Sequence, residues 1–247
     1  MENRNIKLVL TYDGSHYHGW QRQRNALSLQ EVIEEKLQLM VKEPIKLIAS
    51  GRTDAGVHAL GQVCNFITRS AIEPERIKRG LNSLLPDDIF VKDAESVPLE
   101  FHARYQAKSK TYEYRILNRY APDVFQRNYV WHIRIPLALD AMAACLRLVR
   151  GRKDFTSFRS SGSGNADPVR HVIQAELERT ENGLVRFVLE AEGFLRHMVR
   201  NIVGTVAEVG LGKINVDGFR EILESQDRKR AGVKAPPQGL FLIRVQY

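Results

Sequence analysis

Arg52 and Asp54 stand two residues apart in GRTDAGVHALGQV, between apolar runs at 47–49 and 63–67. Gly51 and Gly56 suffice for a turn there, so the charges need a reason of their own. An ionised carboxylate on an exposed turn is a nucleophile or a base. A guanidinium within a few ångströms would favour that ionised form. Thr53, Ala55 and the glycines are small enough to let a bulky ligand approach the backbone. A plainer alternative is an Asx-turn, in which the Asp54 side chain bonds its own backbone and does no chemistry. His58, four residues further on, has no role in either reading.

Three other segments carry candidate chemistry. In KSKTYEYR (108–115), a strand would put Lys110, Tyr112 and Tyr114 on one face and Thr111, Glu113 and Arg115 on the other. Cations interleaved with aromatic rings suit phosphate contact and base stacking. An amphipathic strand with two interfacial tyrosines is the alternative. In GFLRHMVRNIVG (193–204), a helix would place Arg196 and Arg200 one turn apart, facing phosphates, a carboxylate or plain solvent, with Met198, Ile202 and Val206 buried opposite. In HYHGWQRQ (16–23), the His-x-His pair lacks the further ligands a metal would need, so RNA contact or packing fits better. The chain holds no Walker loop and no strand-linked G-x-G-x-x-G, so a nucleotide cofactor is not indicated.

The elements that must position these residues can be read from hydrophobic spacing. A strand at 6–12 ends at Asp13-Gly14. Ser28 and Glu31 form a capping-box pattern that starts a helix with Leu29, Val32, Ile33, Leu37 and Met40 on its buried stripe. Strands at 45–49 and 62–68 flank the GRTDAG turn. Pro74 opens a helix with Ile77, Leu81 and Leu84 on its apolar face, Pro86 closes it, and a strand follows at 89–91. The order β-α-β-β-α-β is that of a ferredoxin-like unit. The second half repeats the kind of pattern: a strand at 111–117, a helix through Leu139, Met142, Leu146 and Val149, strands at 169–180 and 184–191 joined at Asn182-Gly183, a helix through Met198–Val209, a short helix at 216–223 and a closing strand at 240–245. This spacing predicts two related α+β halves, 1–100 and 101–247, with the division near 98–103. SFRSSGSGNAD (157–167) reads as a mobile loop, suited to wrapping RNA or to serving as a linker.

Charge separates the halves. The chain of 247 residues has a net charge of +8 and a pI near 9.6. Residues 1–100 hold 13 Lys+Arg against 14 Asp+Glu, whereas residues 101–247 hold 24 against 15. A field confined to one half points to a polyanion, nucleic acid first. No apolar run of membrane-spanning length and no secretory leader is expected from the sequence. Cys64 and Cys145, far apart in apolar stretches, read as reduced core residues of a cytoplasmic protein.

Five segments in order, YDGSHYHGWQRQ (12–23), ASGRTDAGVHALGQV (49–63), FHARYQAKSKTYEYRI (101–116), FLRHMVRNIVGT (194–205) and APPQGLFL (235–242), resemble the tRNA pseudouridine synthase A family, the TruA-type enzymes, along nearly the whole chain. The resemblance implies the pseudouridine synthase fold: α+β, with two ferredoxin-like halves forming a mixed, mainly antiparallel sheet and a central active-site cleft. It implies an isomerase that converts uridine to pseudouridine at positions 38, 39 and 40 in the anticodon arm of tRNA. It further implies Asp54 as the nucleophile, Arg52 and Arg200 as catalytic partners that hold it, Tyr112 stacking on the target base, and Leu240 lining the pocket. The family works without metal or cofactor, as a homodimer. Two rival classes compete on the residues alone: a non-catalytic RNA-binding module, in which Asp54 has no task, and a metal-dependent nuclease using Asp54 and His58.

Overall fold

The computed structural model describes residues 2–160 and 167–247. The predicted loop at 157–167 therefore falls mostly on 161–166, outside the described residues. Its first residues are ordered. Thr156–Phe158 form a short 3-10 turn in which Ser157 Oγ donates to Ile222 O (2.6 Å) and the Phe158 ring stacks on Phe219 at 5.7 Å.

The chain forms two compact units: residues 1–108 with Phe241–Tyr247, and Ser109–Leu240. The division expected at 98–103 differs in two respects. It lies several residues early, and the closing strand leaves the second half to join the first unit. Phe241 and Leu242 pair in parallel with His58 and Ala59, a register that local sequence does not encode.

The first unit is built from β1 (Arg4–Tyr12), α1 (Leu29–Val41), β2 (Ile48–Ala49), β3 (His58–Thr68), α2 (Pro74–Leu84) and β4 (Ile89–Val97). β1 pairs antiparallel with both β3 and β4. β2 pairs antiparallel with the far part of β3, at Asn65 and Cys64, while the closing strand takes the near part. The sheet is thus mixed and mainly antiparallel, as expected. Alternation in β1 buries Ile6, Leu8, Leu10 and Tyr12. Ser28 caps α1 by accepting from Glu31 N, and Leu29, Ile33 and Leu37 are buried, each such side chain contributing about 1.5–3 kcal/mol. β2 is shorter than its predicted span because Leu47 N donates to the Glu34 carboxylate (2.8 Å) rather than to a ladder partner. β4 is longer than predicted. Its outer residues, KDAES, lie on a sheet edge, where polar side chains face water without disturbing the backbone pairing. Leu84 is exposed rather than part of the buried face of α2.

The second unit contains β5 (Ser109–Asn118), β6 (Trp131–Ile133), α3 (Leu139–Val149), β7 (Gly151–Asp154), β8 (Val169–Arg179), β9 (Leu184–Ala191), α4 (Met198–Gly210) and α5 (Val216–Glu224); β10 (Leu240–Gln246) follows. Its sheet runs β5-β9-β8-β7 in antiparallel pairs, with β6 parallel to β5. β6 and β7, too short or too polar to show periodicity, were not expected. The β8–β9 turn spans four residues, 180–183, with Gly183 at φ +83°. The second unit holds 21 Lys+Arg against 15 Asp+Glu and the first 16 against 14, so the positive excess stays mainly with the second. Among the described residues no helix is long and apolar enough to cross a membrane.

Candidate active site

Asp54 lies on the loop from β2 to β3, and that loop is held from three sides. Val57 N donates to Asp54 O (3.1 Å), closing a tight turn whose third residue, Gly56, has φ +74°. Gly56 N donates to Tyr17 O, and Trp20 N donates to Thr53 O at 3.0 Å. Beneath, the Tyr12 and Thr53 hydroxyls are hydrogen-bonded at 2.9 Å, Gln62 Nε2 donates to Gly51 O, and Ser50 Oγ donates to Gln62 Oε1, both at 2.8 Å. Burial pushes the Tyr12 hydroxyl's pKa up, so it stays neutral in this network. Backbone groups close the turn, and the Gly56 N–H donates to Tyr17 O. Asp54 is half-buried.

The 13–20 segment supplies the outer wall. Gly19 (φ +88°) lies so close that a Cβ there would be 2.7 Å from Thr53 O and 3.1 Å from the Asp54 carbonyl carbon. Gly19 and Trp20 tie the same segment to α1, since Leu29 N donates to Gly19 O and Gln30 N to Trp20 O. Tyr17 and Trp20 are buried, so this segment resolves toward packing, while His16 is exposed and sits 3.5 Å from Asp88.

His58, left without a role by the sequence, is a buried joint. Its Nδ1 lies 3.0 Å from Asp13 Oδ1 and 3.1 Å from Gly14 N, and its ring stacks on Phe241 at 4.7 Å. It thereby fastens the outer wall to the first residue of β3. The only signal was its apolar surroundings in sequence, which say nothing about the partner from residue 241.

Arg52 is placed differently from the expectation. Its side chain is exposed and makes no ion pair with Asp54 or any other carboxylate among the described residues. A spacing of two residues sets the distance between backbones but not the direction of two flexible side chains.

In the second unit, Tyr112 lies on β5 opposite Leu189, and Tyr114 opposite Phe187, so the predicted shared face is present. Tyr112 is buried, with its ring edge-on to Phe194 at 5.2 Å and 88°. Arg200 also departs from the expected helix face. α4 begins only at Met198, after His197 in the left-handed region (φ 64°), so Arg196 is exposed ahead of the helix while Arg200 is buried within it. Arg200 Nε donates to Ala235 O (2.8 Å), and Ala235 N donates back to Arg200 O (3.0 Å). Tyr114 OH donates to Pro236 O at 2.7 Å, and a Cβ on Gly239 would meet the Tyr114 ring at 2.7 Å. These bonds fix the approach to Leu240, which is buried. Arg200, Leu240 and the strap between them are therefore one assembly.

On the opposite face of β5, Glu113 accepts from Arg115 Nε (2.6 Å) and Arg186 Nε (3.0 Å). Burial alone would raise its pKa, but the hydrogen bonds from Arg186 and Arg115 outweigh it and hold Glu113 below its ordinary value of 4.5. A depressed carboxyl stabilises the fold above that ordinary value, and the contribution is lost as pH falls through the lower folded value. The Tm advantage of the wild type over Glu113→Gln should accordingly be constant near neutrality and close in acid below about 4.5. An advantage unchanged down to acid unfolding would contradict this pairing.

Comparison with known proteins adds the last observations. A family model described as tRNA pseudouridine synthase matches residues 8–106 and 145–247. The Asp54 turn, Arg200 and Leu240 lie within the matched segments, and Tyr112 between them. The tRNA pseudouridine synthase A of Acetivibrio thermocellus is 47% identical over 244 residues, covering 99% of this chain and 100% of its own. That of Thermoanaerobacter pseudethanolicus is also 47% identical with the same coverage. That of a Geobacillus species is 44% identical over 246 residues, covering 99% of each chain.

Proposed function

The chain belongs to the tRNA pseudouridine synthase family, and on that footing we propose that it isomerises uridine at positions 38, 39 and 40 of the tRNA anticodon arm with Asp54 as the reacting carboxylate. The observation that carries the site assignment is the Asp54 turn. Backbone bonds close it and a buried hydroxyl–amide network supports it, so the residue that carries the carboxylate is held in one place. In the reaction the N1–C1′ bond breaks, the uracil turns, and C5 joins C1′. The C5 proton is lost and N1 gains one, so atoms balance without a co-reactant. Attack on C1′ and removal of a ribose proton are the two routes open to Asp54, and both need it ionised beside the sugar.

Tyr112 is assigned to the target base, with Phe194 setting the angle of its ring. Arg200 and Leu240 are assigned to the pocket through the strap they share. Arg52, exposed next to Asp54, is assigned to a tRNA phosphate. The target base must leave its stack before reaction, and cations on the flanking surface hold the arm while it does. We extend the proposal to a homodimer acting in the cytoplasm, in keeping with the free thiols of Cys64 and Cys145.

The test is conversion of an unmodified tRNA transcript by the purified protein, with the modified positions mapped. Pseudouridine confined to 38–40 is expected, and none, or only elsewhere, would overturn the assignment. Affinity for the same transcript should fall about 10³-fold or more between about 50 and 200 mM salt, through counterion release. Salt-independent binding would contradict a phosphate-gripping surface.

A further inference from the structure

The turn at 101–106, in the first unit, is built more firmly than its exposed position requires. Two buried amides reach it from the sheet: Asn5 Nδ2 donates to Phe101 O (2.9 Å), and Asn65 Oδ1 accepts from Ala103 N (2.9 Å). Tyr247 OH donates to Ala103 O at 2.7 Å. Within the turn, His102 Nδ1 accepts from the backbone N–H groups of Arg104 and Tyr105 at 3.2 and 3.3 Å, and Gln106 N donates to His102 O. What this framework holds out to solvent is Tyr105, 76% exposed. Its ring lies 4.2 Å from the His102 imidazole at a 30° tilt, with the Arg104 guanidinium 5.7 Å from its centroid. No acidic residue occurs between 101 and 112, whereas Arg104, Lys108 and Lys110 all do.

An exposed aromatic ring contributes nothing to a core, and a ring fixed in advance by its own neighbours loses little freedom when something stacks on it. Nucleobases meet that description of a partner, because every base has a flat face and the surrounding cations attract its phosphates. We propose that Tyr105, with His102 beneath it and Arg104 beside it, is a stacking platform for an unpaired base of the tRNA substrate, separate from Tyr112. The inference rests on the tRNA-modifying reading given above. It assigns a role to residues 101–106, the part of FHARYQAKSKTYEYRI that precedes the strand bearing Tyr112.

The experiment compares wild type, Tyr105→Ala and Tyr105→Phe for affinity to an unmodified tRNA transcript at one salt concentration, alongside pseudouridine formation and sedimentation. Tyr105→Ala should weaken tRNA binding about 5- to 150-fold, the range of one lost base stack. Tyr105→Phe should bind within about twofold of wild type, because stacking needs the ring and not the hydroxyl. Thermal melting should be unchanged in both, since the side chain is exposed. Arg104→Gln should lower the salt slope by about one, as loss of one phosphate contact does. Wild-type affinity in Tyr105→Ala overturns the proposal. So does a loss of self-association with tRNA affinity per copy intact, which would assign the ring to a second copy of the chain. Failure of the wild type itself to form pseudouridine would instead overturn the functional reading on which the inference rests.

Discussion

Asp54→Asn is expected to fold as the wild type does, bind tRNA with the same affinity, and form no pseudouridine. The two side chains have nearly the same shape. The Asp54 carbonyl oxygen, Thr53 and Gly56 make backbone and hydroxyl bonds at the turn that the substitution leaves in place. What is removed is the negative charge, and with it the capacity to attack C1′ or take a proton. A rate loss on the order of 10⁴-fold or more is predicted, beyond the range of one misplaced acid–base group. Release of tritium from C5-labelled uridine under single-turnover conditions measures this without interference from product release. Normal turnover by the variant would remove Asp54 from the chemistry. Loss of tRNA binding in parallel would mean that the carboxylate serves the fold, as the Asx-turn alternative holds.

The second large effect is expected at Gly19, which touches no substrate. An added Cβ would lie 2.7 Å from Thr53 O and 3.1 Å from both Ala55 N and the Asp54 carbonyl carbon, distances that only a shift of the turn can relieve. A positive φ adds about 1–2 kcal/mol for any residue with a side chain. The displacement falls on the peptide units that bracket Asp54, and a misplacement of this order at a reacting group costs about 100-fold in rate. Gly19→Ala should therefore lower kcat about 100-fold while leaving tRNA affinity within a few-fold. Gly212→Ala is the control, because Gly212 has a similar φ of +72° with nothing within 4 Å of the added carbon. It should show the backbone penalty in Tm and none of the loss in kcat. Equal activity losses in the two variants would argue that Gly19 acts through general stability alone.

The parts of this molecule legible in its sequence are those written locally. Ser28 with Glu31, Pro74, and the alternation through 111–117 each specify an element through neighbours a few residues away, and the elements stand where those signals put them. The α+β, ferredoxin-like character follows from that order of elements, and the mainly antiparallel sheet from the family resemblance. What escaped depends on distant partners. The outer half of β4 is polar because it lies on an edge, which its own residues cannot announce. β10 joins β3 across more than 180 residues of chain. Arg200 reads as a surface residue by helix spacing, yet it is buried because a carbonyl 35 residues on accepts from it. Of the site, Asp54 could be singled out only as one of two readings until its companion motifs were joined to it. Arg52 was expected to contact Asp54 and is instead exposed. Gly19 and His58, which hold the turn in place, are of residue types too common at turns and in cores for their partners to be inferred.

We propose Asp54 as the group through which this chain makes pseudouridine in tRNA. The most direct test is to map pseudouridines in tRNA from a strain lacking the protein, complemented with the wild-type chain or with Asp54→Asn at equal abundance. Pseudouridine at positions 38, 39 and 40 is expected to be absent from the deletion strain, to return with the wild-type chain, and to stay absent with Asp54→Asn. Its return with Asp54→Asn would remove Asp54 from the chemistry, and its presence in the deletion strain would assign these positions to another enzyme.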